Sequence, residues 1–324
     1  MNFTATRLRW LIQSGFAFFC VYTGYEFHRF FLWAMGQSET FAARPPAVEA
    51  FLPISAFMAF RRYISTGLMD DIHPAGLILF IAFISMAFMF RKGFCAYICP
   101  VGFLSNLLEE AGKKLGISKT IPKRIDFPLT LLKYGLMGFF TYTIFFGMSL
   151  DQLNNFLNAP YNMVADGKLY LFFTNPSNTA LAIMGGLAVI SMFIKNFWCR
   201  YLCPYGALLG ILASCGPFAI HRKEESCIDC GKCTKNCPVQ IDVQAKVNVR
   251  SPECIGCMRC AEKCPVENCL TMSYRGFGSL PFWGIAAGSL ITLGILYSVA
   301  LYTDNWISGI PTNMLQTIYM RFMQ

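Results

Sequence analysis

The stretch CIDCGKCTKNCP at residues 227–238 returns with the same spacing as CIGCMRCAEKCP at residues 254–265. In each copy, single cysteines separated by two residues form a triplet, a fourth cysteine follows after three more residues, and a proline comes next. Cysteine runs of this form bind iron-sulfur cubanes through their thiolates, and the fourth cysteine of each run serves the other cluster. The stretch therefore predicts a small domain that holds two [4Fe-4S] clusters.

This spacing argues against the two other common uses of clustered cysteines. A structural zinc site takes four ligands, usually arranged as two close pairs. A disulfide scaffold belongs to small proteins in oxidising compartments. Triplets with a distant fourth member, repeated twice, fit neither use. The predicted ligands are Cys227, Cys230, Cys233 and Cys264 for the first cluster, and Cys254, Cys257, Cys260 and Cys237 for the second.

The composition places the rest of the chain in a membrane. Of its 324 residues, 55% are hydrophobic and 14% are charged, against about 25% charged residues in ordinary soluble domains. The mean hydropathy is +0.45. We expect an α-helical integral membrane protein with an inserted α+β ferredoxin domain of the bacterial 2[4Fe-4S] type. The net charge is +9, and the lysines and arginines lie beside apolar segments. This placement is typical of the residues that orient membrane helices, and it disfavours nucleic acid as a partner.

Five stretches are apolar over the roughly 20 residues that a membrane helix requires. The first is interpreted as a retained helix and not as a signal peptide, because it is long and carries Glu26, His28 and Arg29 near its far end. The predicted transmembrane helices span about residues 10–33, 74–91, 128–149, 178–197 and 281–302.

Charge distribution predicts the orientation of these helices. Lysines and arginines cluster before the first span, between the second and third, and after the fourth, so these parts are expected on the cytoplasmic side. Cluster thiolates also need a reducing compartment. Both considerations predict a multi-pass protein of the bacterial cytoplasmic membrane, with the N-terminus and the ferredoxin domain cytoplasmic and the C-terminus outside. The predicted domains are residues 1–220 in the membrane, 221–275 as ferredoxin, and 276–324 as the fifth helix and a short outer tail.

An internal repeat supplies a second set of cysteines. The stretch FCAYICPVG at residues 94–102 matches WCRYLCPYG at residues 198–206, which predicts pseudo-repeated helix pairs in the membrane. Cysteines four residues apart share one face of a helix. The four thiolates are candidates for a third cubane, a copper or zinc ion, or a reversible dithiol pair, and the alternative is that they are buried small residues. They are Cys95, Cys99, Cys199 and Cys203.

Ionisable residues near the outer face form a candidate quinone site. A quinol loses two protons with its two electrons, so carboxylates or a histidine within hydrogen-bond reach are expected. Glu49, Asp70 and His73 are the candidates, and Arg44 can pair with Glu49. An ordinary salt bridge with a helix cap is the competing interpretation. The remaining cysteines, Cys20, Cys215 and Cys269, are interpreted as packing residues, with Cys269 the best candidate for an extra ligand.

The paired C-x3-C-P motifs together with the double ferredoxin run resemble the membrane polyferredoxins of the NapH, NosR and FixG (CcoG) group, most closely the NapH-like 4Fe-4S subunits linked to quinol. The stretch RPPAVEAFLP at residues 44–53 also resembles their quinol-side segment. The resemblance implies a membrane-anchored electron-transfer subunit that oxidises quinol within an oxidoreductase complex. Its expected partners are lipid, quinone, and a cytochrome, ferredoxin-like or reductase subunit. The alternative function that it implies is a FixG-like assembly factor that reduces copper at the C-x3-C-P thiolates.

Overall fold

Helices make up most of the part of the chain that the computed structural model describes, residues 4–274 and 277–323. The longest helices are α1 (Ala5–Ala34), α3 (Pro74–Phe90), α5 (Lys123–Tyr142), α9 (Asn178–Phe193) and α13 (Gly284–Tyr302), and each falls on one of the five apolar stretches. The shorter helices are α2 (Pro53–Thr66), α4 (Pro100–Lys114), α6 (Leu150–Leu157), α7 (Pro160–Met163), α8 (Ala165–Thr174), α10 (Pro204–Cys215), α11 (Lys232–Lys235), α12 (Arg259–Glu262) and α14 (Thr312–Phe322).

Length and composition separate these helices by their ability to cross a membrane. Among the described residues, the segments Arg124–Gly147 and Gly284–Tyr302 are each long and apolar enough to span it alone. A third crossing results if α8 and α9, which bend by 75° at the break between them, count as one. Helix α3 is apolar but has 17 residues. The protein is thus a membrane protein, and the five-helix topology and its orientation stay predictions.

Packing divides the chain into two compact units. The first consists of Met1–Ala17, Phe83–Met137 and Gly185–Thr292, and it contains the eight cysteines of the ferredoxin runs and the four of the C-x3-C-P motifs. The second consists of Phe18–Ala82, Gly138–Met184 and Leu293–Gln324. The domain boundaries expected from the sequence stay a prediction, and the one at residues 275 and 276 lies outside the described residues.

An antiparallel sheet carries the ferredoxin part of the first unit. Its strands are β1 (Phe218–Arg222), β2 (Asn248–Val249), β3 (Leu270–Tyr274) and β4 (Phe277–Leu280), in the order β2-β1-β3-β4. Ile220 of β1 pairs with Val249 on one side and with Met272 on the other, and all three side chains are buried. Because side chains alternate along a strand, this register forms an apolar floor beneath the cysteine loops.

Aromatic side chains form the core of the second unit. Phe27, Phe30 and Phe31 of α1 pack against Val164 and against Tyr319 of α14, and all five are nearly inaccessible to solvent. The ring of Phe30 meets that of Tyr319 edge to face, with 5.4 Å between their centroids, a favourable geometry for aromatic pairs. The C-terminal segment, expected from the sequence to be a short outer tail, is therefore a packed helix of this core.

Candidate iron-sulfur centres and a buried charge network

The first ferredoxin run lines a cavity together with one cysteine of the second run. We call it the first cavity. The cysteines in its wall are Cys227, Cys230, Cys233 and Cys264, the set that the motif assigns to one cluster. Cys269 also lines it, and burial raises the pKa of its thiol to about 11, with Cys264 adding to the rise.

The second ferredoxin run and one cysteine of the first run line a separate cavity, which we call the second cavity. Its cysteines are Cys254, Cys257, Cys260 and Cys237, again the set that the motif assigns to one cluster. Apolar side chains fill the rest of the wall, including Ile220 of the sheet floor. Each cavity thus presents four soft thiol donors, which is the ligand set of a cubane, and the residues present fit that group.

Left-handed backbone positions wrap both runs around their cavities. Asp229 and Gly231 separate the cysteines of the first run, with φ of 52° and 69°, and Gly256 and Met258 occupy the same places in the second, with φ of 71° and 57°. Alternation of left- and right-handed residues turns successive backbone N–H groups into one concavity, a common anion-binding arrangement. Such loops suit the negative charge of a thiolate-bound cluster. Met258 is the unusual member, because a side chain at positive φ costs about 1–2 kcal/mol.

Burial raises the pKa of two thiols of the second cavity, Cys260 and Cys237, and so favours their neutral form. It raises the pKa of Cys237 to about 12, and the neighbouring thiol of Cys257 adds to the rise. The backbone N–H of Ile241 donates to Cys237 Sγ at 3.3 Å and opposes it. A thiolate here needs positive charge close to the sulfur. Iron would provide that charge, since metal binding deprotonates cysteine ligands.

The first C-x3-C-P motif lies where two helices join. The π-helical turn Phe94–Ile98 contains Cys95, whereas Cys99 is extended, with φ −62° and ψ 120°, and Pro100 begins α4. The expectation that both cysteines share one helix face is therefore wrong. The proline is the reason, because its ring disfavours helical backbone in the preceding residue.

The second C-x3-C-P motif has the same local structure. Its π-helical turn Trp198–Leu202 contains Cys199, and Cys203 is extended, with φ −74° and ψ 104°, before Pro204 begins α10. The N–H of Gly206 donates to Cys203 Sγ at 3.3 Å. π-Helical turns are rare and are frequent at functional sites. The two motifs thus present their cysteines in equivalent backbone settings.

The two motifs lie against each other, and we call their four partly buried cysteines the tetrad. Burial raises the pKa of Cys99 well above its usual value, and Cys95, Cys199 and Cys203 each raise it further. Burial likewise raises the pKa of Cys95 to about 11 and of Cys199 to about 12. The ring of Phe94 in the first motif meets that of Tyr205 in the second edge to face, with 6.0 Å between their centroids. Four soft thiol donors carried by two such neighbouring segments are the ligand set of a cluster.

Within residues 4–274 and 277–323, no group of three or more cysteine, histidine, aspartate or glutamate side chains is compact enough to hold a single metal ion.

A network of buried charges occupies the second unit and centres on Arg44. Arg44 Nε donates to Asp166 Oδ2 at 2.6 Å, Arg44 Nη2 lies 2.8 Å from His73 Nδ1, and the same nitrogen lies 3.3 Å from Glu49 Oε1. Burial alone would lower the pKa of Arg44, but the carboxylates of Asp166 and Glu49 raise it above its usual value. The predicted pairing of Arg44 with Glu49 is present, and its shortest ionic contact is with Asp166.

The contacts of His73 define its protonation state. Its Nδ1 faces the Arg44 guanidinium, which can only donate, so Nδ1 accepts. Its Nε2 lies 2.7 Å from the carbonyl oxygen of Asn162, which can only accept, so Nε2 carries the proton. The imidazole is therefore neutral. Glu49, its other neighbour, accepts from the backbone N–H of Gly76 through Oε2 at 2.9 Å.

Asp70 differs from these residues because part of its carboxylate has no partner. Its Oδ1 accepts from the N–H of Ile72 at 3.2 Å and lies 3.7 Å from Arg62 Nη2. Within the described residues Oδ2 is buried without a hydrogen bond, as is Arg62 Nε. Burial raises the pKa of Asp70, although the N–H of Ile72 and the guanidinium of Arg62 oppose the rise. A buried carboxylate with a raised pKa and an open oxygen is a chemically plausible proton acceptor.

Sequence reasoning missed three members of this network. Asp166 holds Arg44 from 122 residues away and accepts from Tyr319 Oη at 2.5 Å. Asn162 accepts from His73 through its carbonyl oxygen. None of these three residues belongs to a recognisable motif. The one sequence feature that could have identified Asp166 is the presence of a carboxylate in a mostly apolar stretch. By contrast, Glu26 and Arg29 form an exposed ion pair at 3.3 Å.

Comparison with known proteins agrees with the placement of the cysteines. The family described as 4Fe-4S binding domain matches residues 72–118 and again residues 179–223, so each match contains one C-x3-C-P motif. The family described as 4Fe-4S dicluster domain matches residues 220–272, which contain both ferredoxin runs. The chain therefore binds iron-sulfur clusters.

Among curated proteins, the chain is 39% identical over 285 residues to a protein of Escherichia coli (strain K12) provisionally named electron transport protein YccM, covering 86% of this chain and 80% of the relative. It is 29% identical to Protein NirI of Paracoccus denitrificans, over 51% of this chain and 24% of the relative. It is 26% identical to the ferredoxin-type protein NapH of E. coli, over 50% and 55% of the two chains. No solved structure matches the chain.

Proposed function

The chain belongs to the membrane ferredoxin-type electron transport proteins of the NapH and NosR group, and we propose that it passes electrons between the quinone pool and a partner redox protein. The observation that carries this proposal is the division of the eight ferredoxin cysteines between two cavities, four in each. A cubane supplies reversible one-electron chemistry when bound. The protein's own task is to hold such centres, keep water away and adjust their potentials.

The assignment of the centres follows the cysteines. The first cavity holds one [4Fe-4S] cluster through Cys227, Cys230, Cys233 and Cys264, and the second cavity holds another through Cys254, Cys257, Cys260 and Cys237. The tetrad holds a third. Support for the third centre comes from the 4Fe-4S family match, which covers both C-x3-C-P motifs, and from the contact between the two motifs at Phe94 and Tyr205.

The charge network around Arg44 forms the quinone site in this proposal. A quinol that is oxidised gives up two electrons and two protons, and the reverse reaction takes them up. Asp70 is the proton acceptor that the network supports best, because its Oδ2 is open and its pKa is raised. Neutral His73 donates from Nε2 and accepts at Nδ1, so it can orient a quinol hydroxyl if the Asn162 contact gives way.

Replacement of Asp70 by asparagine tests this site. It preserves shape and removes the proton acceptor, so electron exchange with a quinone analogue should slow by about 100-fold, the order of a general base. Asp71→Asn is the matched control, since Asp71 is the adjacent carboxylate and is exposed. Stopped-flow absorbance of the clusters measures both rates. Equal rates for Asp70→Asn and Asp71→Asn, with unchanged iron content, would contradict the assignment.

The partner protein is expected to dock beside the first cavity. Cys230 there is exposed, and the neighbouring Ile228 side chain is 63% exposed. In the second cavity Cys237, Cys254 and Cys257 are all buried. Asn196, just before the second C-x3-C-P motif, and Arg200, within it, contact the wall of the second cavity. Asn196 donates to Pro238 O at 3.1 Å, and Arg200 donates to Val239 O. The first cavity is thus the one open to a soluble carrier.

Ile228→Glu tests this docking face. A charge at the centre of an apolar contact is expected to slow electron transfer to a soluble one-electron acceptor protein by about tenfold, a typical hot-spot cost. Ile228→Val keeps the contact apolar and serves as the control. Cluster reduction by dithionite should be the same in both variants. Transfer by Ile228→Glu at the rate of Ile228→Val would place the partner elsewhere.

A further inference from the structure

The two copies of the C-x3-C-P motif differ in one charged residue. Arg200 follows Cys199 in the second motif, and Ala96 occupies the equivalent place after Cys95 in the first. Both side chains are buried, and a buried guanidinium is costly unless its donors are satisfied. The arginine that only the second motif carries therefore needs specific partners.

Asp126 holds the guanidinium of Arg200 in a fixed orientation. Arg200 Nε donates to Asp126 Oδ1 at 2.8 Å, and Arg200 Nη2 donates to Asp126 Oδ2 at 2.6 Å. Such a bidentate pair fixes both the position and the plane of the guanidinium. Tyr201 Oη also donates to Asp126 Oδ1, at 2.6 Å, so the carboxylate is held as well. The third nitrogen of the guanidinium, Nη1, is left for another partner.

That partner is the loop that follows a cysteine of the second cavity. Arg200 Nη1 donates to the carbonyl oxygen of Val239. Val239 comes two residues after Cys237, and both residues line the second cavity. The N–H of Ile241, in the same loop, donates to Cys237 Sγ at 3.3 Å. Arg200 thus adjoins Cys199 of the tetrad in the chain and is one hydrogen bond away from the loop of a second-cavity cysteine.

Asn196 contacts the same loop from the same turn of backbone. Its carbonyl oxygen accepts from the N–H of Arg200 at 2.8 Å. Its Nδ2 donates to Pro238 O at 3.1 Å and to Glu109 Oε2 at 2.8 Å. The backbone of Asn196 is left-handed, with φ of 52°, a conformation that asparagine adopts more readily than most residues. Two consecutive carbonyl groups of the loop are therefore bound by one turn at the second motif.

Helix α10, which begins at Pro204 of the second motif, lies against the second ferredoxin run. A Cβ added at Gly210 would come within 2.6 Å of the carbonyl oxygen of Pro252. Pro252 precedes Cys254 of the second cavity by two residues. So close an approach of two backbones requires glycine. The second motif and its helix thus contact both runs at residues next to second-cavity cysteines.

We propose that Arg200 and Asn196 are positioning residues that fix the Cys237 loop on the second C-x3-C-P motif, so that the second cavity, and not the first, exchanges electrons with the tetrad. The inference deepens the proposed function and rests on it. In each transfer one electron leaves a reduced centre and enters an oxidised one, and no bond forms or breaks. Transfer slows steeply when two centres move apart, so a loop held at two carbonyl groups keeps it fast. The order that follows is tetrad, second cavity, first cavity and soluble partner.

The first test, on the full-length protein in detergent, observes the loop without any electron transfer. Arg200→Met removes the donor to Val239 O and keeps most of the length of the side chain. Hydrogen–deuterium exchange of the amides at residues 239–243 should become about tenfold faster, the effect of losing a hydrogen bond from a charged group. Exchange at residues 227–231 of the first run should stay at the wild-type rate. Arg124→Met, which removes an exposed arginine near the start of α5, should change neither rate.

The second test separates the two routes by which electrons leave the ferredoxin clusters. In Arg200→Met, their reoxidation by a quinone analogue should slow by about tenfold, because small misplacements of reacting groups have effects of this size or larger. Their reoxidation by a soluble one-electron acceptor protein should keep the wild-type rate, since this route begins at the first cavity. Iron content should be unchanged. Arg124→Met should leave both rates and the iron content as in the wild-type protein.

Asn196→Gly decides the question if Arg200→Met does not retain its clusters. It keeps the left-handed backbone without strain and removes the amide that binds Pro238 O. It should slow the quinone reaction and leave the reaction with the soluble acceptor unchanged, as expected for Arg200→Met. The inference is overturned if variants with full iron content slow both reactions equally or slow neither. It is also overturned if both variants exchange at residues 239–243 like Arg124→Met.

Failure of the proposed function gives a different result. A wild-type protein whose clusters do not react with quinone contradicts that function and, with it, the order of the centres. A wild-type protein that reacts with quinone, with equal rates in Arg200→Met and Arg124→Met, contradicts the role of Arg200 alone.

Discussion

Replacing Cys95 and Cys199 together by alanine is expected to lower the iron content of the purified protein from about twelve to about eight atoms per chain. Each motif loses one thiolate, and a cubane that keeps two of its four protein ligands does not remain bound in a site that burial makes unfavourable for lone thiolates. The eight cysteines of the two cavities are untouched, so their clusters should persist. Iron and sulfide analysis with electron paramagnetic resonance measures both outcomes.

Cys20→Ala is the control for this prediction, because Cys20 belongs to the second unit and lines neither cavity. It should leave the iron content at the wild-type value. A double variant that keeps all of its iron would remove the third cluster from the account. A wild-type protein with about eight iron atoms and copper bound at the tetrad would favour the copper-reducing assembly function instead.

Replacing Arg44 by methionine is expected to reduce the free energy of unfolding by about 3–5 kcal/mol, the cost of leaving a buried charge unpaired. Arg44 is the one cation within contact distance of both Asp166 and Glu49 in the described residues. Its removal leaves two buried carboxylates without their cation. Thermal or denaturant unfolding in detergent, followed by circular dichroism, gives the change.

Arg29→Met provides the comparison for Arg44→Met. Arg29 pairs with Glu26 at 3.3 Å, but half of its side chain is exposed, and exposed pairs contribute about 0–1 kcal/mol. Arg44→Lys keeps a charge and should be less destabilising than Arg44→Met. Equal stability of Arg44→Met and Arg29→Met would show that the network around Arg44 does not hold the second unit together.

The short spacing between the cysteines of each motif was enough to predict how they group into ligand sets. The exchange of Cys237 and Cys264 between runs is a property of the motif itself, and the structure groups the cysteines in the same sets. The same holds for the helical stretches, because apolar runs of that length have few other conformations in a membrane. The prolines that follow Cys99 and Cys203 predict that a helix ends at each of these cysteines. The i, i+4 spacing predicts a shared helix face instead, and the structure follows the prolines.

Contacts between residues that are far apart in the chain could not be predicted from the sequence. Asp166 and Tyr319 join Arg44 through contacts that span more than a hundred positions of the chain. A lone aspartate and a tyrosine in an apolar tail have no spacing signature.

The proposed function requires the iron-sulfur centres to exchange electrons with a quinone bound at a defined site. Its most direct test mixes the anaerobically reduced protein with increasing concentrations of a quinone analogue and follows reoxidation of the clusters. We predict a rate that saturates with quinone concentration in the wild-type protein and in Asp71→Asn, and that falls by about 100-fold in Asp70→Asn. A rate that rises linearly without saturation, identical in all three proteins, would mean that quinone meets the clusters by collision and would contradict the claim.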